Sequence, residues 1–287
     1  GHAYYSVGGT DISDDNKLLA FGVDEISRRQ YTIYVKNLET GEIYKDAIPN
    51  TEADPTWAAD NKTIFYTSKN AVTLLSEKIK RHLLGTDAAD DNTVYEETDK
   101  SNYIGVTRSK NGRYIFIVSQ GTLSSQWRMI DAATPNAAFN IFQPRMKEVL
   151  YDVIPLEDKF LIRTNLNAKN FRIMECPLDK TGVENWKELI PHRSDVLLQG
   201  VEEFKNHLVL NERKNGLVSL RIMPLNGAAE HYLDFGEPAY AAYATSNLEY
   251  NSKTLRYGYT SLTTPSSVFD YEMDTREKKL LKQQPVL

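Results

Sequence analysis

Cys176 is the single cysteine among 287 residues, so the sequence holds neither an intrachain disulfide nor a multi-thiolate zinc site. A lone thiol of this kind is expected to be a small buried apolar side chain. The five histidines are His2, His82, His192, His207 and His231. No two have the H-x-x-x-H spacing that sets two imidazoles on one helix face around a metal. His207 stands in its segment where Lys17 and Lys62 stand in theirs, which predicts a solvated turn residue. No G-x-S-x-G elbow is present to carry a serine nucleophile, and no glycine-rich loop to cradle a phosphate. No metal and no cofactor is therefore expected. Carboxylates are plentiful, at 39. A facing pair of them could hydrolyse a glycoside, but no spacing singles one out. The acidic run Asp87-Ala88-Ala89-Asp90-Asp91 reads as a solvated loop.

The formal net charge of −5 gives no electrostatic footprint for nucleic acid, whose phosphates call for clustered Lys and Arg. No apolar run approaches the ~20 residues of a membrane-spanning helix, so no membrane partner is expected. The start, Gly1-His2-Ala3-Tyr4-Tyr5, lacks the basic and apolar regions of a signal peptide. Asn61-Lys62-Thr63 is an N-x-T triplet of the kind that chance supplies. The expected compartment is the cytoplasm, with the periplasm as the alternative.

The elements that would position any site show themselves as a repeat. A polar turn runs directly into a short apolar stretch six times. Ser13-Asp14-Asp15-Asn16-Lys17 precedes Leu18-Leu19-Ala20-Phe21, and Ala59-Asp60-Asn61-Lys62 precedes Thr63-Ile64-Phe65-Tyr66. The basic residues that close the turns fall at 17, 62, 113, 159, 207 and 253, with gaps of 45, 51, 46, 48 and 46. Propeller blades repeat at about 40–50 residues. Asn, Asp and Gly tolerate the positive φ of tight hairpins, and apolar runs of four or five residues have the length of strands. A first strand precedes each turn, as in Tyr103-Ile104-Gly105-Val106. An alternating third strand follows, as in Tyr31-Thr32-Ile33-Tyr34-Val35. A short outer strand ends the unit, as in Ala229-Glu230-His231-Tyr232-Leu233. The reading is an all-β chain: a β-propeller of four-stranded antiparallel blades, one domain over residues 1–287. Such blades are stable only when stacked.

Specific residues then resemble a known family. Ser27-Arg28-Arg29-Gln30-Tyr31-Thr32-Ile33, Arg81-His82-Leu83-Leu84-Gly85-Thr86, Tyr95-Glu96-Glu97, Trp186-Lys187-Glu188-Leu189-Ile190-Pro191 and Leu255-Arg256-Tyr257-Gly258-Tyr259-Thr260 resemble, in the same order, the propeller of the oligopeptidase B (protease II) group of the prolyl oligopeptidase family of serine peptidases. The resemblance implies a seven-bladed propeller inserted into an α/β-hydrolase domain that holds the catalytic triad. About six blades are legible here, which makes this chain a propeller fragment, with the first blade and the hydrolase domain expected outside it.

What the resemblance implies about function is a noncatalytic lid. The propeller would cover the hydrolase domain of the same polypeptide, its partner, and admit short peptide substrates for cleavage after Arg or Lys. It also implies a place for Glu97, where relatives hold an aromatic residue facing the substrate. A carboxylate there suits a basic peptide or an interdomain salt bridge, with Arg81 as its expected partner. Arg28 and Arg29, on the loop between the second and third strands of the first unit, are the second candidate pair, suited to carboxylates across a domain interface. Two rivals stand beside this reading: a stand-alone propeller that binds proteins, and a propeller glycosidase.

Overall fold

The computed structural model describes residues 3–286; Gly1, His2 and Leu287 lie outside the described residues. The chain divides after Val149 into two compact units. The first holds three blades. They are β1 (Ser6–Ile12), β2 (Leu18–Asp24), β3 (Tyr31–Asn37) and β4 (Ile43–Thr51); β5 (Thr56–Trp57), β6 (Thr63–Lys69), β7 (Ser76–Leu83) and β8 (Asn92–Glu96); and β9 (Tyr103–Arg108), β10 (Tyr114–Gln120), β11 (Ser125–Asp131) and β12 (Asn140–Gln143). The second unit holds three more. They are β13 (Tyr151–Pro155), β14 (Lys159–Thr164), β15 (Arg172–Pro177) and β16 (Lys187–Ile190); β17 (Leu197–Glu203), β18 (His207–Lys214), β19 (Leu217–Pro224) and β20 (His231–Tyr232); and β21 (Tyr240–Ala244), β22 (Thr254–Ser261), β23 (Ser267–Glu272) and β24 (Lys278–Gln283). Each blade is an antiparallel meander, and a single pair, Thr51 opposite Ser68, joins the first two blades into one sheet. Two 3-10 turns, Ala88–Asp90 and Val183–Asn185, are the helical elements among the described residues. None is long and apolar enough to cross a membrane.

The repeated turns do the work their residues suggest. Asn16, Asn61 and Gly112 sit at φ of 59°, 56° and 75°. In each turn a side-chain oxygen two residues before the closing basic residue accepts that residue's N–H: Asp15 from Lys17 at 3.1 Å, Asp60 from Lys62 at 3.0 Å and Asn111 from Arg113 at 3.1 Å. These short polar side chains replace backbone partners within the turn.

The second strands that lie between two blades of one unit, β6 and β18, are packed on both faces along their apolar runs. On β6, Ile64 and Tyr66 pack with Leu18, Ile33 and Ile48 of the first blade, while Phe65 between them packs with Ile104, Ile115 and Ile117 of the third. On β18, Leu208 and Leu210 face Leu161 and Ile173 of the fourth blade, and Val209 faces Leu255 and Tyr257 of the sixth. The period of two sends alternate side chains to opposite neighbours, so the middle of each of these strands is apolar on both faces. The outer strand β24 is exposed along its whole length.

Glycine is required where the β4–β5 connection crosses β2. A Cβ on Gly22 would lie 2.4 Å from the Ala53 carbonyl oxygen, and a backbone atom cannot swing aside. Gly22→Ala is expected to destabilise the fold by about 1–3 kcal/mol. A urea midpoint unchanged from the native one would contradict this packing.

Two buried polar contacts tie strands distant in sequence. Trp57, fully buried, donates its N–H to Asp11 Oδ2 at 2.8 Å and its indole Nε1–H to the Asp11 carbonyl at 3.1 Å. Burial pushes the Asp11 carboxyl up, against the lowering effect of the Trp57 N–H. His82, also fully buried, lies between two carboxylates: Nδ1 is 2.8 Å from Asp91 Oδ1 and Nε2 is 3.1 Å from Asp46 Oδ1. Asp91 takes the Tyr66 hydroxyl at 2.8 Å, and Asp46 takes the Gly85 N–H at 2.5 Å. Burial by itself would push the His82 imidazole down. Its hydrogen bonds to Asp91 and Asp46, with their charges, outweigh burial and hold it above the ordinary 6.5.

The structure departs from three sequence expectations. His207 is buried rather than solvated, because it opens β18 instead of closing the turn, and its Nε2 lies 3.0 Å from Asp274 Oδ1. The acidic run at 87–91 is not wholly a solvated loop, since Asp91 is drawn inward by His82 and Tyr66. The expected outer strand over 229–233 shortens to His231–Tyr232. Cys176 is buried as expected, and burial pushes its thiol up to about 12.

Candidate functional site

Antiparallel meanders put every connection that follows an even-numbered strand at the same end of its blade. In the first unit these are the β2–β3, β4–β5, β6–β7, β8–β9 and β10–β11 connections. Four of these connections and the β10–β11 turn border a cleft of about 420 Å³ whose lining includes Arg28, Arg29, Glu52, Lys69, Glu77, Glu97 and Asp99. That volume lies within the range of small-ligand sites, about 300–1,000 Å³. Three of the four residues singled out from sequence, Arg28, Arg29 and Glu97, therefore share one cleft, although about seventy residues of sequence separate the arginines from the glutamate.

Glu97 follows the end of β8 and is half-buried. Its Oε2 accepts the Tyr95 hydroxyl at 2.9 Å and the Ser119 hydroxyl in a very short bond, and its Oε1 accepts the Asp99 N–H at 2.9 Å. Arg145 completes the set: its Nη2 donates to Ser119 Oγ at 2.6 Å and its Nη1 to Ser124 Oγ at 3.0 Å. Burial would raise the Glu97 carboxyl, but the Ser119, Asp99 and Tyr95 hydrogen bonds and the Arg145 charge together hold it below the ordinary 4.5. The guanidinium of Arg128 lies 4.9 Å from the Tyr95 ring centroid, near enough for a cation–π contact. Glu97 is thus a carboxylate fixed in place and kept ionised.

Arg28 and Arg29 are exposed on the β2–β3 loop. Ser27 and Arg29 have φ of 60° and 52°, and the buried Asp24 carboxylate accepts the Ile26 N–H at 3.0 Å and the Arg29 N–H at 2.7 Å. Among the described residues neither guanidinium has a hydrogen-bond or ion-pair partner. Lys69 is already spoken for, 3.0 Å from Glu52, which also takes the Ser76 hydroxyl at 2.5 Å.

Arg81 does not pair with Glu97. It sits opposite Asn92 in the β7–β8 ladder, whereas the Glu97 N–H bonds the Glu77 carbonyl at 2.9 Å, so the two lie at different heights along the blade. Arg81 Nη1 instead donates to the Pro135 carbonyl at 2.9 Å. Of the groups that hold Glu97, Tyr95 and Asp99 are its near neighbours, whereas Ser119 and Arg145 lie farther along the chain and no local pattern in the sequence marks them. Among the described residues no group of three His, Cys, Asp or Glu side chains is placed to hold a metal.

Repeated four-stranded antiparallel meanders, together with the family match, define this chain as a β-propeller. The chain belongs to the prolyl oligopeptidase N-terminal beta-propeller domain family, whose model matches residues 1–284. It is 42% identical over 287 residues to dipeptidyl aminopeptidase BI of Pseudoxanthomonas mexicana, covering all of this chain and 39% of that protein. It is 30% identical over 285 residues to protease 2 of Moraxella lacunata, covering 99% of this chain and 41% of that protein. The solved structure of oligopeptidase B from Leishmania major superposes with a TM-score of 0.92 at 25% identity, over 99% of this chain and 42% of that one. The chain thus spans about two fifths of the length of the relatives it matches.

Proposed function

We propose that this chain is the noncatalytic gating domain of a serine oligopeptidase. In this reading it covers an α/β-hydrolase domain carried by the same polypeptide and lets short peptides through to be cut after Arg or Lys. The observation that carries the reading is the match itself: nearly the whole chain aligns, yet it fills only about two fifths of each relative, which leaves room for a cutting domain elsewhere. The physical basis of the selectivity is access. A folded protein cannot enter a covered cavity, whereas opening between domains admits a flexible peptide. The net charge of −5 would draw cationic peptides, weakly at physiological salt. Glu97, a carboxylate in the cleft's lining held below its ordinary value, suits a basic substrate group or an interdomain cation. Arg28 and Arg29 suit carboxylates. The cytoplasm is the proposed compartment.

One observation favours a second reading of the cut. The relative at 42% identity is named a dipeptidyl aminopeptidase, which points to removal of dipeptides from an amino terminus rather than to internal cleavage. Product analysis on a peptide with an internal lysine separates the two.

The chain by itself is expected to give no turnover on an Arg-containing chromogenic peptide, and measurable turnover would defeat the noncatalytic assignment. The intact polypeptide is expected to cleave short peptides and to slow steeply as substrates lengthen and fold. Equal rates on a short peptide and on a folded protein carrying the same sequence would end the gating reading.

A further inference from the structure

Among the charges lining the cleft of the first unit, which include Glu77, Asp99 and Lys100, two poles keep capacity for a ligand, the arginine pair and Glu97. Arg28 and Arg29 supply two cations without partners among the described residues, on a loop that Asp24 holds from within. Gln30 Nε2 reaches Asn50 Oδ1 and the Ala71 carbonyl, both at 3.4 Å, and so ties that loop to the neighbouring connections. The two guanidiniums are thus carried on a pinned loop, which lowers the ordering cost of binding. The other pole is Glu97. A carboxylate offers about four acceptor sites, and Tyr95, Ser119 and the Asp99 N–H occupy three. One remains, on a group held ionised by its neighbours. Lys69 and Glu52, also in the lining, neutralise each other at 3.0 Å.

An occupant that suits both poles carries a carboxylate at one end and a cation at the other within a few residues. A short peptide with a free carboxyl terminus and a basic side chain has this form. We propose that the cleft is a peptide subsite in which Arg28 and Arg29 take the substrate's terminal carboxylate while Glu97 takes its cationic group. The proposal rests on the gating reading above and adds to it a preference for peptides that end nearby. Arginine suits the carboxylate role because its planar fork presents parallel N–H donors.

The test compares one short basic peptide as the free acid and as the carboxy-terminal amide, with the intact polypeptide as enzyme. The native protein is expected to favour the acid by about tenfold in kcat/KM, the effect of one charge-assisted contact. In the double variant Arg28→Gln/Arg29→Gln the acid-to-amide ratio is expected to fall to about one. Arg28→Lys/Arg29→Lys is expected to restore part of it, since the charge returns without the fork. Both positions are exposed, so the variants should fold. An acid-to-amide ratio unmoved by the glutamine variant overturns the proposal. Equal losses on acid and amide also overturn it and assign the arginines to contact with another domain. The gating reading is judged separately, by the length dependence measured on amidated peptides, which do not offer the carboxylate.

Discussion

Replacing His82 with alanine is expected to cost about 3–5 kcal/mol, the range found when one partner of a buried charge pair is removed. The reason is the geometry of the two carboxylates. Both ring nitrogens face carboxylate oxygens, Asp91 at 2.8 Å and Asp46 at 3.1 Å. Hydrogen bonds to Asp91 and Asp46 at both nitrogens, with their charges, outweigh burial and favour the protonated imidazole, in which both nitrogens donate. Alanine would leave two acids facing a void with nothing to neutralise them. The same contact predicts a pH dependence. The folded imidazole is held above 6.5, so it binds its proton more tightly than in the unfolded chain. Its stabilising contribution is fully present below 6.5 and is lost as pH rises from there through the higher folded value. Urea midpoints across pH 5 to 9 check this: the native protein should lose a contribution with rising pH that His82→Ala lacks. Parallel profiles for the two proteins would show that the histidine is not charged in the fold.

Trp57→Ala is expected to cost a similar amount, about 3–5 kcal/mol. The side chain is fully buried among Leu18, Ile33, Ile48 and Ile64, where the first two blades meet, and the fold cannot close over a lost indole. The change also removes the Nε1–H donor from the Asp11 carbonyl while keeping the backbone bond to the Asp11 carboxylate. Trp57→Phe keeps most of the volume and should cost clearly less. If phenylalanine and alanine cost the same in thermal denaturation, the hydrogen bond and not the packing governs this site.

Both positions show where sequence reading reaches its end. The Trp57 segment opens the second repeat, and its burial follows from the buried strand beside it. His82 carries no such mark. Its partners Asp46 and Asp91 come from the outer strand of one blade and from beyond a 3-10 turn of the next, 36 and 9 residues away. Glu97 was legible as a candidate, but the partner expected for it, Arg81, bonds the Pro135 carbonyl instead. The register sets Arg81 opposite Asn92, and a strand lifts successive residues apart by about 3.3 Å each. Ser119 and Arg145, which orient Glu97, were invisible, because contacts between blades leave no spacing in the chain. His207 misled because one residue separates the end of a turn from the start of a strand, and burial reverses across that step.

What the amino-acid order determined alone is the set of short-range features: six polar turns, the apolar strands behind them, and thus the blade repeat. Those depend on φ preferences and on side-chain alternation over a few residues. Tertiary structure decided which charges meet. It gathered Arg28, Arg29 and Glu97 at one end of three blades, sent Arg81 elsewhere and enclosed His82 between two acids. Ion pairs and hydrogen bonds act over a few ångströms of space, and only the folded register says which distant residues come that close.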